Sequence, residues 1–129
     1  MNFTIQAVGV VHSALRKLED CPLQEAESAY EATIELFDEY TRAAMHIRPG
    51  DTLLLLTWLD KADRSVLETH PRNDPANELT GIFSTRSPNR PNPIGLHEVS
   101  ILTKEGAGIF KVSALEVLDG TPIIDIKSL

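Results

Sequence analysis

The amino-acid sequence predicts a mostly β fold, a small closed or nearly closed β-barrel with one or two short helices. Three observations carry that expectation. Apolar residues recur with a period of two along several segments, the pattern of strands with one buried face. Helix signals are confined to two short stretches. Roughly six strands in a chain of 129 residues protect their edges best by closing on themselves.

Phe3, Ile5, Ala7 and Gly9 share one face of the first run, with Thr4 and Gln6 opposite. Residues 23–29 are a weak helix candidate. Tyr30, Ala32, Ile34 and Leu36 repeat the alternation, with Glu31, Thr33 and Glu35 outward. DEYTRAAMH (38–46) reads as two helical turns, with Asp38 near the N-terminus and Pro49-Gly50 as the stop. LLLLTWL (53–59) reads as a strand buried on both faces. Residues 64–78, with Pro71, Pro75 and two asparagines, read as an irregular loop. Residues 79–85 read as a short strand entering a proline-rich segment. The apolar phase then slips from Ile94 and Leu96 to Val99 and Ile101, which predicts a β-bulge near His97-Glu98. The last patterned run sets Phe110, Val112 and Ala114 against Lys111 and Ser113.

The length fits one domain over residues 1–129, burying about two thirds of its unfolded surface. Hydrophobic residues make up 42%, which supports a core and argues against disorder. The single cysteine, Cys21, forms no intrachain disulfide. MNFTIQAVGVVHSA lacks a basic n-region and alternates where a signal peptide is continuously apolar. No apolar block is long enough to span a bilayer. A soluble, cytoplasmic protein without membrane attachment is expected. The formal charge of −7 argues against loose phosphate binding, so a cationic site has to be local.

His12, His46, His70 and His97 are scattered and read as surface or capping histidines, so no metal is expected. Phosphate-loop, dinucleotide and serine-elbow motifs are missing. STRSPNRPNPIG (84–95) stands apart. Each proline fixes φ, removes an N–H and biases the residue before it toward extended backbone. Arg86 and Arg90 start from a preorganised base and lose less entropy on gripping a carboxylate or phosphate. The alternative is a rigid turn whose arginines pair with some of the 19 acidic residues. Three weaker signals accompany it: the Asp119-Gly120 turn in LDGTPIIDIK, the charged strand end WLDKADR (58–64), and Cys21-Pro-Leu-Gln24.

GIFSTRSPNRPNPIGLHEVSIL followed by LEVLDGTPIIDIK resembles the TsaA-like (TrmO/VirR-like) family, and the likeness extends from AVGVVHS to the chain end. Characterised members are S-adenosylmethionine-dependent methyltransferases acting on N6-threonylcarbamoyladenosine beside the tRNA anticodon. The resemblance implies a β-barrel homodimer, with S-adenosylmethionine as cofactor and tRNA as partner. Matched to the family pattern, Gln24, Leu59, Asp60, Arg86, Leu96, Ser113, Ala114, Leu115 and Glu116 are expected to contact the methyl donor. Arg86 is expected at the donor carboxylate or an anionic substrate group, and Leu96 and Leu115 on adenine. Glu116 is expected to accept from ribose or adenine N–H groups. Arg90 and Asn92 are the candidates for the acceptor side. Asp119 is the candidate proton acceptor, since nitrogen methylation releases a proton. The chain departs from the pattern at Leu23, Asp60, Ser84 and Glu116. A small-metabolite methyltransferase and a non-catalytic donor- or nucleotide-binding module are the competing readings.

Overall fold

Alternation becomes a ring in the computed structural model, which describes residues 1–15, 31–113 and 115–129. Eight strands form there: β1 (Gly9–His12), β2 (Ala32–Leu36), β3 (Thr52–Trp58), β4 (Glu68–Thr69), β5 (Thr80–Gly81), β6 (Ile94–Gly106), β7 (Ile109–Val112) and β8 (Pro122–Ser128). Six close in the order β1-β2-β7-β6-β3-β8, with β8 returning to β1 and every neighbour antiparallel. β4 and β5 pair separately, in the excursion between β3 and β6. The expected mostly β fold is what forms.

Period-two burial explains the ring. Val11, Ile34, Leu36, Leu53, Leu55, Val99, Ile101, Phe110, Val112 and Ile123 all point inward. Leu115 and Val117, between β7 and β8, fill the same core. Phe110 is fully buried and is the largest side chain inside. A 3₁₀ helix, Asp38–Ala44, takes the place of the two expected helical turns and buries Ala44 against the core. Among the described residues no helix is long and apolar enough to cross a membrane.

Several local expectations are corrected. β1 starts only at Gly9, and Phe3 is 82% exposed. Its ladders to β2 and β8 both begin at Gly9, so among the described residues the alternation upstream has no sheet partner to bury a face. β3 is buried on one face: Leu53, Leu55 and Thr57 inward, Leu54, Leu56 and Trp58 outward and half-covered. No bulge lies at His97-Glu98, because the β3–β6 ladder runs unbroken from Thr52↔Ser100 to Trp58↔Ile94. Register shifts fall instead between Ile101 and Thr103 against β7, between Lys104 and Gly106, and between Leu56 and Thr57 against β8. The inward row of β6 is therefore Gly95, His97, Val99 and Ile101, while Ile94 and Leu96 stand 42% and 45% exposed. Residues 79–85 hold only β5 and a 3₁₀ turn, Ile82–Ser84. The 64–78 stretch is irregular apart from β4 and the turn Pro71–Asn73. Tyr30, the 23–29 helix candidate and Cys21 lie outside the described residues.

A glycine occupies an inward position of β6 for a geometric reason. The Thr57 hydroxyl and His97 Nε2 hydrogen-bond at 2.9 Å, and a Cβ on Gly95 would overlap both atoms. Gly95→Ala is expected to lower unfolding free energy by about 1–3 kcal/mol, the usual penalty of overpacking. Urea unfolding followed by tryptophan fluorescence measures it, and a stability equal to wild type would refute the close approach.

Candidate functional site

Strand polarity divides the barrel into two ends. β3 leaves, and β6 and β8 enter, at the end facing the proline-rich segment. A cavity of about 290 Å³ opens there. Leu59, Asp60, Lys61 and Ala62 line it just past β3, and Pro88 and Asn89 contribute from the proline segment. His97 rises from β6, and Glu116, Val117, Leu118 and Thr121 come from the connection into β8. A larger cavity, about 370 Å³, lies at the opposite end beneath the 3₁₀ helix, between Tyr40, His46, Asp51 and Lys127. It holds none of the candidate residues, so the proline-side cavity is the candidate site.

Three of the expected donor contacts, Leu59, Asp60 and Glu116, meet at that cavity. Leu115 is fully buried beside them, and Ser113 donates its N–H to the Ser100 carbonyl at 3.0 Å. Leu96 lies on the outer face of β6, paired with Leu56. Arg86 is exposed on the proline segment and makes no hydrogen bond or ion pair among the described residues. Gln24 and Ala114 lie outside the described residues.

The candidate acceptor-side residues hold the loop together. The Arg90 guanidinium donates to the carbonyls of Ser87 at 2.9 Å, Ile82 at 2.9 Å and Thr85 at 2.6 Å. Asn92 Oδ1 accepts from Arg64 at 3.2 Å, and Arg64 Nε donates to the Pro91 carbonyl at 2.7 Å. The same guanidinium lies 5.1 Å from the Trp58 ring centroid, a cation–π contact. Proline stretches leave carbonyls without local donors, and arginine's planar fork supplies several from one side chain.

Asp119 performs a similar task in the next turn. Its Oδ1 accepts the Ser13 N–H at 2.9 Å, while its own N–H donates to the Leu15 carbonyl at 2.7 Å. Gly120 takes φ +85°, which glycine adopts without steric cost, and the Thr121 N–H closes the turn onto the Leu118 carbonyl. The turn thus ties the exit of β1 to the entry of β8, and Asp119 does not line the cavity.

Sequence reasoning missed His97, which is 8% exposed and faces the cavity. Its spacing of two from Val99 was the available signal. It also passed over Asn89, which lines the cavity and whose Oδ1 accepts the Asp63 N–H at 2.9 Å. The Ser65 hydroxyl, and then its N–H, hold the Asp63 carboxyl below the usual range. Among the described residues no cluster has the makings of a metal site.

Residues 10–129 match the tRNA-methyltransferase O N-terminal domain, and the chain belongs to that family. It is 41% identical over 127 residues to a probable S-adenosyl-L-methionine-binding protein of Methanothermobacter thermautotrophicus, covering 98% of this chain and 90% of that one. A probable S-adenosyl-L-methionine-binding protein of Archaeoglobus fulgidus is 39% identical over 123 residues, 95% of this chain and 33% of its own length. The crystal structure of TrmO from Pseudomonas aeruginosa superposes with a TM-score of 0.77 at 27% identity, over all of this chain and 56% of that one. The chain thus spans a third of one relative and little more than half of the solved structure.

Replacing the fork by a point charge tests the clamp. Arg90→Lys is expected to cost about 1–3 kcal/mol, since one ammonium cannot serve three divergent carbonyls. Limited proteolysis within residues 82–92 should accelerate accordingly, and an unchanged cleavage rate would refute the clamp.

Proposed function

We propose that this domain binds S-adenosylmethionine in the proline-side cavity and methylates a nitrogen of N6-threonylcarbamoyladenosine beside the tRNA anticodon, as a cytoplasmic homodimer. The observation that carries the reading is the meeting of Asp60, Lys61 and Glu116 with apolar walls in one cavity of about 290 Å³. Family membership and the names of the relatives support it.

The residues present suit the donor's chemistry. Carboxylates at Asp60 and Glu116 accept hydrogen bonds from ribose hydroxyls and from amino groups. Lys61 offers a cation to a carboxylate, and Leu59, Val117 and Leu118 form an apolar slot for a flat base. When bound, the donor supplies a methyl group on a positively charged sulfur. The protein's own task is orientation, which lowers a barrier by about 7–11 kcal/mol in the best intramolecular cases. The acceptor nitrogen must also lose a proton. Asp60, exposed on the cavity rim, is the better-placed acceptor, because the Asp119 carboxylate is tied to Ser13.

A donor-binding module without chemistry is the second reading. It is favoured by one observation: Arg90 and Asn92 already hold the loop and contribute no free polar fork to an acceptor. Pairing of two copies is supported by the outer face of β3 and β6. There Trp58 faces Ile94 and Leu56 faces Leu96 across the ladder, an apolar row of the kind that marks association surfaces.

Titration calorimetry is expected to show S-adenosylmethionine and its demethylated product both binding wild type. Glu116→Ala should weaken both by about 10- to 100-fold, the value of hydrogen bonds to a charged group. Absence of binding by either molecule would sink the donor reading. Methyl transfer to tRNA carrying N6-threonylcarbamoyladenosine, read by nucleoside mass spectrometry, separates the enzyme from the binding module. Sedimentation should show a dimer that Ile94→Glu converts to monomer; a wild type monomeric at every concentration refutes the pairing.

A further inference from the structure

Phe83 is 84% exposed although it sits in one of the most heavily pinned turns of the molecule. It lies in the 3₁₀ turn Ile82–Ser84. The Arg90 guanidinium holds the Ile82 carbonyl on one side of Phe83 and the Thr85 carbonyl on the other. The Thr85 N–H and hydroxyl also reach the Ile82 carbonyl, at 3.1 and 2.9 Å, and the Ile82 N–H donates to Leu67. Ile82 itself is buried. The turn therefore points one apolar side chain inward and fixes the next, an aromatic ring, outward into water. Arg90 follows Asn89, a wall of the proline-side cavity, so the clamp that presents the ring is continuous with that wall.

The segment that carries the ring is itself free of carboxylates, while Glu68 pairs with Gly81 across β4 and β5 and Asp63 is bonded to Asn89. Residues 79–97 contain no aspartate or glutamate, in a chain with 19 of them. Arg86, three positions past Phe83, is exposed and makes no hydrogen bond or ion pair among the described residues. The two neighbouring arginines, Arg64 and Arg90, are engaged with the loop backbone. One exposed aromatic ring three residues from one available guanidinium offers what a nucleotide chain requires: a surface for a base and a cation for its phosphate.

We infer that Phe83 is a positioning residue for a nucleic-acid acceptor, stacking on an unpaired base while Arg86 meets the adjoining phosphate at the mouth of the cavity. The inference rests on the tRNA-methyltransferase reading and deepens it, naming what holds the acceptor beside the donor. An apolar contact with a second copy of this chain is the competing use of the same ring.

A labelled anticodon stem-loop RNA carrying N6-threonylcarbamoyladenosine serves as the probe, titrated into the full chain. Phe83→Ala and Phe83→Leu are both expected to weaken RNA binding by about 5- to 100-fold, the range measured for lost base stacking. Phe83→Trp should stay within a few-fold of wild type. Arg86→Gln should reduce the slope of log affinity against log salt by about one. S-adenosylmethionine affinity should be unchanged in the Phe83 variants, which also shows them folded. Phe83→Leu binding RNA like wild type overturns the stacking role, and so does a change in sedimentation with RNA affinity intact, which assigns the ring to protein pairing. Wild type that binds S-adenosylmethionine but not the RNA overturns this inference while leaving the donor site standing. Failure to bind either overturns both.

Discussion

Ring closure at the seam between β3 and β6 is the constraint on which the rest depends. β3 pairs with β6 on one side and β8 on the other, so its inward side chains have no room to move sideways. Leu53 and Leu55 fill the middle of that volume, but at the exit Thr57 comes inward and meets His97 above Gly95. A polar pair in an apolar barrel is costly unless it is satisfied. Bonding the two to each other ends the apolar core one layer short of the rim. The cavity begins where the core ends, with His97 in its wall. A third apolar layer, with a side chain on Gly95, would carry the core toward the rim and narrow the site.

The long excursion between β3 and β6 depends on that end in turn. It has only a two-residue ladder of its own, so its order comes from side chains. Arg64 and Arg90 act as internal struts, donating to backbone carbonyls of the loop. Trp58 at the end of β3 gives Arg64 a ring to rest on, so the strut stands on the barrel itself. Rigidity here is built from charged groups turned inward on backbone, which is why a segment rich in arginine offers so little free positive charge.

The fold was legible in the sequence because alternation is a local signal and closure is its cheapest consequence for short strands. What alternation could not reveal was the identity of the inward row in β6. Ile94 and Leu96 look like core residues beside Gly95 and His97, and only the ladder to β3 shows the reverse. Phe3 and Ile5 alternate as well as Ala32 and Ile34 do, yet among the described residues no partner strand reaches them. The site was half legible. Leu59, Asp60 and Glu116 line one cavity, because strand ends on one side of a barrel must converge. The fate of Arg90 and Asp119 was not legible, since a residue's chemistry says what it can bind and not whether backbone nearby has already claimed it.

Net charge and local charge answer different questions in this molecule. A charge of −7 repels a polyanion at long range, but screening confines that repulsion to about 8–10 Å at physiological ionic strength. Within that distance an approaching phosphate meets Arg86 on a segment, 79–97, that carries no carboxylate of its own, together with Glu68 and Asp63 on the strand and loop packed against it. The acidic remainder removes the loose, sequence-independent attachment that basic proteins show to any nucleic acid. On the proposed reading, affinity for RNA comes from short-range contacts at fixed positions: a ring held outward by its turn and one guanidinium free of the loop. On the proposed reading, an acidic barrel with so little free positive charge selects one exposed nucleotide and does not hold a long stretch of backbone.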